Sequence, residues 1–142
     1  MPVDLSLLDK ARQVQLQSGL NWGYSNGNVC LEDACIPLNT DTIRNNPGLF
    51  NPISIDNRIY VTWDDGIKMV CLLEGRQTNL IGNQQYAKQI SSDDDKSIIG
   101  HYIRTRIGIF GRRITTQDLV TYGRTSISVL KTGYDTYEFD FS

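Results

Sequence analysis

Polar and apolar positions alternate with a period of two over much of this chain, which is the pattern of half-buried β-strands. In residues 13–17, Gln-Val-Gln-Leu-Gln, the alternation would turn Val14 and Leu16 inward and the glutamines outward. Further along, β-rich runs over residues 59–63 and 67–73 flank Asp64-Asp-Gly66. Because Asp-Gly between two such runs is a strong turn signal, these residues predict a β-hairpin.

The end of the chain repeats this β pattern. Residues 127–130 and 136–141 are rich in β-forming residues and are separated by a turn around Thr132-Gly133. The alternation places Tyr137, Phe139 and Phe141 on one face of the last strand. We expect that face to lie against the core.

Two segments have helical spacing or helix-capping residues. Ile99, Ile103 and Ile107 recur at i, i+4 and i+8, and Ser97 stands before them as the expected N-cap. The three aspartates at 93–95 suit the N-terminus of that helix. A second, shorter helix is expected after a threonine cap at 115 or 116.

The rest of the pattern indicates loops and a β architecture. Proline and asparagine cluster between Asn39 and Pro52, so that stretch is predicted to be a surface loop. No internal repeat, linker or low-complexity tract separates a second domain, and 142 residues are enough for one core. Many short strands with one or two helices favour an open or closed barrel.

Composition is that of an ordinary soluble domain, with 39% hydrophobic and 21% charged residues. No apolar run approaches the ~20 residues of a membrane helix, and the first residues do not resemble a signal peptide. The odd number of cysteines, Cys30, Cys35 and Cys71, predicts reduced thiols in a cytoplasm. Their spacing, with a single histidine in the chain, argues against a zinc site.

Charge is distributed unevenly along the chain. Residues 96–131 carry seven basic side chains and one acid, for a charge of +6. Residues 1–95 carry seven basic and twelve acidic groups, and residues 132–142 carry three acids, so the sum is -2. Since nucleic-acid binding depends on local charge, the basic segment is compatible with it. Equally, any one of these cations could belong to a solvated face.

Two polar segments without acidic residues could contact bases. Arginine pairs with guanine, and asparagine or glutamine with adenine, in the major groove. The first segment offers Arg12, Gln13, Gln15, Gln17, Asn21, Tyr24, Ser25, Asn26 and Asn28. The second offers Arg76, Gln77, Thr78, Asn79, Asn83, Gln84 and Gln85. By composition alone, the first could equally be an edge strand with a glycine-rich turn, and the second a hairpin loop.

Motifs in a fixed order along the chain resemble one protein family. They are Leu5-Ser-Leu-Leu8, Gly19-Leu-Asn-Trp-Gly23, Val61-Thr-Trp-Asp-Asp-Gly66, Tyr86-Ala-Lys88, the run 99–108, the run 114–119, Tyr122-Gly-Arg124 and the aromatic terminus 137–142. Together they resemble the C-terminal DNA-recognition domain of NgoFVII-type restriction endonucleases. In those enzymes this B3-like domain follows a phospholipase-D-like nuclease. Residues 24–58 match the family poorly.

The resemblance implies a fold and a function. The expected fold is mainly β, a B3-like DNA-binding pseudobarrel in which an open seven-stranded barrel over residues 1–142 carries one or two short helices. The expected function is sequence-specific binding of double-stranded DNA by two polar loop arms in the major groove. The chain would act as the target-recognition domain or subunit of a restriction endonuclease. Phosphate contacts are expected from Lys88, Arg104, Arg106, Arg112 and Arg113.

Catalysis is expected to lie elsewhere. A phospholipase-D-like nuclease needs a His-x-Lys pattern, and the single His101 is followed by Tyr102 and Ile103. We therefore expect no cofactor, no metal and no membrane partner, and a phospholipase-D-like nuclease domain or subunit as a partner beside double-stranded DNA. Two alternatives remain at this point. One is a small metal-dependent nuclease using Glu74, Asp94 and Lys96, and the other is a β-barrel module that binds a protein or a small ligand.

Overall fold

A computed structural model describes residues 2–25, 30–75 and 81–142. Its strands are β1 (Val3–Ser6), β2 (Ile36–Pro37), β3 (Arg58–Trp63), β4 (Lys68–Glu74), β5 (Gln89–Ser92), β6 (Ser126–Lys131) and β7 (Thr136–Asp140). Its helices are α1 (Thr40–Asn45), α2 (Lys96–Ile107), α3 (Thr116–Tyr122) and a short 3₁₀ helix over Gly19–Tyr24.

The strands form one seven-stranded sheet in the order β1-β6-β7-β3-β4-β5-β2. Neighbouring strands are antiparallel except for β3 and β7, which are parallel. The two outermost strands, β1 and β2, approach each other without a ladder and leave one unsealed seam. The fold is therefore the mainly β, open seven-stranded barrel that was expected.

The predicted hairpin at Asp64-Asp-Gly66 is confirmed. Strands β3 and β4 pair in the register Ile59↔Cys71 and Val61↔Met69. The turn closes when the Gly66 N–H donates to the Trp63 carbonyl at 2.8 Å. Gly66 has φ +88°, a conformation that costs residues with a Cβ but not glycine.

The aromatic face of the last strand is also confirmed. Tyr137, Phe139 and Phe141 are all buried in the core. The Phe139 ring meets the Trp63 ring edge-on at 5.2 Å between centroids, and the Tyr137 ring stacks on Phe50 at 5.4 Å. These contacts fill the barrel between β7 and β3 with the largest side chains of the chain.

Both predicted helices are present, with one change of cap. Asp95, not Ser97, is the N-cap of α2, because its carboxylate accepts from the Ser97 N–H at 2.9 Å. Ile99 and Ile103 are fully buried, as their spacing predicted. Helix α3 begins after Thr115, which forms a capping box with Asp118.

Two predictions from the polar and apolar pattern are wrong. Residues 13–17 form no strand: Val14 is buried but Leu16 is 69% exposed. The backbone there bonds to side chains from the α3 region, with the Val14 N–H donating to Thr116 Oγ1 at 2.9 Å, instead of to a neighbouring strand. The predicted loop at 39–52 contains α1, which is capped by Asn39 and is too short to show a helical period.

Strand direction assigns each loop to an end of the barrel. Following the ladder pairings, β1, β3, β5 and β7 run one way, and β2, β4 and β6 run the other. Residues 7–35 therefore leave and rejoin the sheet at the end that carries α2 and α3, here called the α2–α3 end. Residues 75–88 connect β4 to β5 at the opposite end.

We expect Gly66→Ala to lower the free energy of unfolding by about 1 kcal/mol, because alanine is strained at this φ. No other atom lies within 4 Å of an added Cβ, so the cost is one of backbone conformation alone. Gly66→Asn should cost less, since asparagine tolerates the left-handed region better. Urea denaturation followed by tryptophan fluorescence measures both, and equal stability of Gly66→Ala and the unchanged chain would contradict the turn assignment.

Candidate nucleic-acid interface

The first polar segment begins with a tight turn that exposes Arg12. The Asp9 carboxylate accepts from the Ala11 N–H at 2.9 Å and the Gln13 N–H at 3.1 Å. The Arg12 N–H donates to the Asp9 carbonyl, and Arg12 itself takes φ +61°. An aspartate bonded to backbone groups that follow it is a common way to hold such a turn. The turn leaves the Arg12 side chain exposed.

Hydrogen bonds join residues 13–16 to residues 113–116, the segment that leads into α3. Thr116 Oγ1 donates to Gln13 Oε1 at 2.9 Å and accepts from the Val14 N–H. The Arg113 Nε donates to the Leu16 carbonyl at 2.9 Å. These bonds join the first polar segment to the basic segment, although nearly one hundred residues separate them in sequence.

Asn21 requires a correction. It was predicted to contact bases, but its relative exposure is 0%. Its Nδ2 donates to the carbonyls of Gln15 at 2.7 Å and Ile114 at 2.8 Å, and its Oδ1 accepts from the Ile114 N–H at 2.8 Å. A buried amide with its hydrogen bonds formed inside the protein has nothing left to offer a base.

Arg104 also lies inside the protein, with 1% exposure, and so is not a phosphate contact. Its Nη1 donates to the carbonyls of Ile109 at 3.1 Å and Arg112 at 2.8 Å. Burial lowers the pKa of the Arg104 guanidinium, because a charge is poorly solvated there. Tyr24 lies between two cations, with the Arg104 guanidinium 5.7 Å and the Arg113 guanidinium 5.2 Å from its ring centre.

Arg106, which was also predicted as a phosphate contact, binds the hairpin. Its two Nη atoms donate to the Asp64 carboxylate at 3.1 and 2.8 Å, and Nη1 also donates to the Tyr102 hydroxyl. Only 17% of the Arg106 side chain is exposed. Burial alone would raise the pKa of Asp64, but the bonds from Arg106 and from the Phe141 N–H hold it below its usual value. The charge of Arg106 is thus compensated within the protein.

Arg112 remains accessible. Its guanidinium makes two 2.8 Å bonds to the Asp118 carboxylate, yet 52% of its side chain is exposed. Those bonds, the largest effect on this group, lower the pKa of Asp118 to about 2. A carboxylate that binds one edge of a guanidinium fixes the direction of that group. The remaining exposed edge of the guanidinium is free to bind a further anion.

The exposed remainder forms one connected surface at the α2–α3 end. Its members are exposed or half-buried side chains of the first segment together with two arginines before α3, and we call it the first-loop surface: Arg12, Gln13, Gln15, Gln17, Tyr24, Ser25, Arg112 and Arg113. Asn26 and Asn28, predicted in the same segment, lie outside the described residues.

The second polar segment lies at the opposite end of the barrel. Ile81 and Gln84 exchange backbone hydrogen bonds across a turn formed by Gly82 and Asn83, both with positive φ. Asn83, Gln84 and Lys88 are exposed, and Gln85 is half-buried. Arg76, Gln77, Thr78 and Asn79 lie outside the described residues.

The two segments lie at opposite ends of β5, a strand of four residues.

Two of the three residues of the alternative nuclease site, Glu74 and Lys96, are paired with each other. Glu74 accepts from Gln89 at 2.9 Å and Ser91 at 2.8 Å, and lies 3.3 Å from the Lys96 ammonium. Burial alone would raise the pKa of Glu74, but these three partners keep it below its ordinary value. In the ranges 2–25, 30–75 and 81–142, no group of three or more His, Cys, Asp or Glu side chains is placed to hold a metal ion.

The family of the chain is shown by comparison with known proteins. A model of the NgoFVII C-terminal B3-like DNA-binding domain matches residues 1–133. The chain belongs to this family. No curated protein matches it significantly. The NgoFVII C-terminal domain family is one of DNA-binding domains of restriction endonucleases with a pseudobarrel fold, in agreement with the barrel described above.

None of the described helices is both long and apolar enough to cross a membrane.

Sequence reasoning missed the residues that position this surface. Asp9 and Thr116 hold the first segment by hydrogen bonds, and Asp118 orients Arg112. The Asp9 turn could have been inferred from an aspartate followed by polar residues without a strand pattern. The contacts of Thr116 with the first segment and of Asp118 with Arg112 were not predicted, because those partners lie in other segments or at no regular helical spacing.

We expect Asp118→Ala to lower the free energy of unfolding by about 1–2 kcal/mol at neutral pH, because it removes the Arg112 pair and half of the α3 capping box. The pKa of Asp118 is depressed to about 2 in the folded chain. Its stabilisation is therefore fully present above the unfolded pKa of about 3.9, and is lost as the pH falls through the folded value. Urea denaturation at a series of pH values should show the two chains converging between those limits.

Asp41→Ala is the matched control, since the Asp41 side chain is 82% exposed and its arginine partner lies at 3.5 Å. Its cost at neutral pH should be only a few tenths of a kcal/mol. A difference for Asp118→Ala that stayed constant down to pH 2 would show that its carboxylate charge is not what stabilises the fold.

Proposed function

We propose that this chain is the target-recognition domain of a restriction endonuclease and binds a short, specific site in double-stranded DNA through the major groove. Membership of a DNA-binding domain family supports DNA as the ligand. The observation that carries the finer proposal is the first-loop surface, where exposed amide side chains and two exposed arginines are held together by hydrogen bonds. It offers base and phosphate contacts from a single surface.

Within that surface, hydrogen bonding suggests which glutamine contacts which base edge. The side-chain carbonyls of Gln13 and Gln15 already accept from Thr116 and Ser18. Their NH₂ groups can still donate, for example to guanine or to a phosphate. Gln17 is exposed and makes no side-chain hydrogen bond within the described residues, so it retains both the donor and the acceptor that adenine requires.

Arg112 and Arg113 serve as phosphate contacts in this proposal. Both are exposed, and each is fixed on one side, Arg112 by Asp118 and Arg113 by the Leu16 carbonyl. Fixed guanidinium groups lose little side-chain entropy when they bind a phosphate. Arg12 is exposed on its turn in the first segment and would contact either a base or the backbone.

The second segment contributes from the other end of the barrel. Asn83, Gln84 and Lys88, with the side chains of Arg76, Gln77, Thr78 and Asn79, would enter the major groove from that end. Cleavage is assigned to a separate phospholipase-D-like nuclease domain or subunit, and the chain itself is proposed to be non-catalytic. The NgoFVII name of the family supports that partner.

We expect the purified chain to enrich a short sequence motif from a pool of random-sequence duplexes. With Arg12, Lys88, Arg112 and Arg113 as the contacting cations, log affinity should fall with log salt at a slope of roughly -3 to -4. Sequencing of the bound fraction and binding titrations at several salt concentrations measure both quantities.

Absence of an enriched motif would contradict specific recognition, and a flat salt response would remove the arginines from the interface. Magnesium-dependent cleavage of the pool by the chain alone would contradict the non-catalytic assignment.

Substitutions of base-contacting and of phosphate-contacting residues should affect affinity for the enriched duplex and for random duplexes differently. On the enriched duplex, Gln17→Ala should cost about 1–3 kcal/mol and leave affinity for random duplexes nearly unchanged. Arg112→Ala should weaken binding to both, because a phosphate contact is indifferent to sequence. Affinities for the two duplex types at one fixed salt concentration distinguish these outcomes.

Arg58→Ala is the matched control for Arg112→Ala. The Arg58 side chain is 53% exposed and also has a carboxylate partner, but it lies at the start of β3, at the end of the barrel opposite the first-loop surface. It should change neither affinity by more than about twofold. If Gln17→Ala lowered both affinities equally, the first segment would be a backbone clamp and the placement of base contacts would be wrong.

A further inference from the structure

One buried side chain joins the two parts of the first-loop surface. Asn21 lies in the 3₁₀ helix of the first segment, and Ile114 directly follows Arg112 and Arg113. The Asn21 amide pairs with both backbone groups of Ile114 at 2.8 Å, and also donates to the Gln15 carbonyl at 2.7 Å. The same side chain thus touches the segment that carries the glutamines and the segment that carries the arginines.

An amide suits this position because it has a donor and an acceptor on the same planar group. Aspartate at 21 would place a carboxylate against two carbonyl oxygens, and leucine would leave the Ile114 backbone groups buried without partners. A buried donor or acceptor left without a partner costs more than the net value of the bond it made. The pairing is therefore sensitive to the side chain at this position.

Weaker bonds flank Asn21 on the exposed side. The Val14 N–H donates to Thr116 Oγ1, and Arg113 Nε donates to the Leu16 carbonyl. We call the whole set, formed by residues 13–16 and 21 on one side and 113–116 on the other, the clasp. Water competes less for the two buried bonds between Asn21 and Ile114 than for the others, so Asn21 should contribute most to fixing the relative position of the two sides.

The first segment has other anchors that do not depend on the clasp. Leu20 and Val14 are buried in the core. Gly23 fits so closely against the backbone of Cys30 and Leu31 that an added Cβ would lie 2.3 Å from their carbonyl oxygens. Loss of the Asn21 bonds should therefore loosen the register of the segment without detaching it from the barrel.

We propose that Asn21 is a positioning residue for DNA recognition, which sets the distance between the glutamines of the first segment and the guanidinium groups of Arg112 and Arg113. This inference rests on the function proposed above. Bases and phosphates of a duplex stand at fixed distances, so simultaneous contact requires a fixed spacing on the protein. Asn21 touches no DNA itself and acts through the residues it holds.

The test compares Asn21→Leu with the unchanged chain, using the duplex enriched from the random pool and random duplexes as probes. Affinity for the enriched duplex should fall about tenfold or more, while affinity for random duplexes stays within about twofold. The Ile114 N–H should exchange faster with solvent, and the Val129 N–H in β6 should not. This local signature separates a loss of register from general unfolding.

Thr116→Val is the second variant and decides the outcome if Asn21→Leu does not fold. It removes the bonds at the exposed side of the clasp while retaining the shape of the side chain, and should reduce discrimination between the two duplex types about two- to fivefold. Asn46→Leu is the control, because Asn46 donates to the Thr42 carbonyl in α1, outside the clasp. It should leave discrimination unchanged.

Two results would overturn the inference while leaving the proposed function intact. One is full discrimination in folded Asn21→Leu, or in Thr116→Val should Asn21→Leu not fold. The other is an equal loss of affinity for enriched and random duplexes, since the clasp would then support binding in general and not the spacing of contacts. By contrast, failure of the unchanged chain to enrich any duplex would overturn the proposed function itself.

Discussion

The structure depends above all on the parallel pairing of β3 with β7. It joins the central hairpin to the last strand of the chain, in the register Val61↔Tyr137 and Trp63↔Phe139, across more than seventy residues of sequence. Aromatic side chains from both strands fill the interior at this junction, where the rings of Trp63 and Phe139 meet edge-on. Without this pairing, the antiparallel ladders on either side would be two separate sheets of three and four strands, and the barrel would not form.

The strand order of the barrel determines at which end each polar segment lies. The alternating strand directions send the first segment to the α2–α3 end and the second segment to the opposite end. Strand β5, which runs between these two ends, has only four residues.

The basic segment divides into cations that stabilise the fold and cations that remain available. Arg104 and Arg106 form hydrogen bonds to carbonyl and carboxylate groups inside the protein. The side chains of Arg112 and Arg113 are exposed. Burial explains the division, because α2 turns its cationic residues toward the packed segment and the hairpin. A count of charges along the sequence cannot distinguish these two groups.

The sequence by itself determined the elements whose signals are local. The Asp-Gly hairpin, the aromatic face of the last strand, the isoleucine spacing of α2 and the threonine cap of α3 all follow from neighbouring residues, and the ordered motifs indicated the family.

Tertiary structure decided what depends on distant partners. Residues 13–17 alternate like a strand, yet their hydrogen bonds go to the segment that begins α3 and not to a strand of the sheet. In the sequence, Asn21 resembles an amide that could contact a base. In the structure, both polar atoms of its side chain are hydrogen-bonded to the backbone of Ile114, ninety-three positions away. Local patterns record propensity and periodicity, whereas burial and the choice of hydrogen-bond partner are set only when distant segments meet in the folded chain.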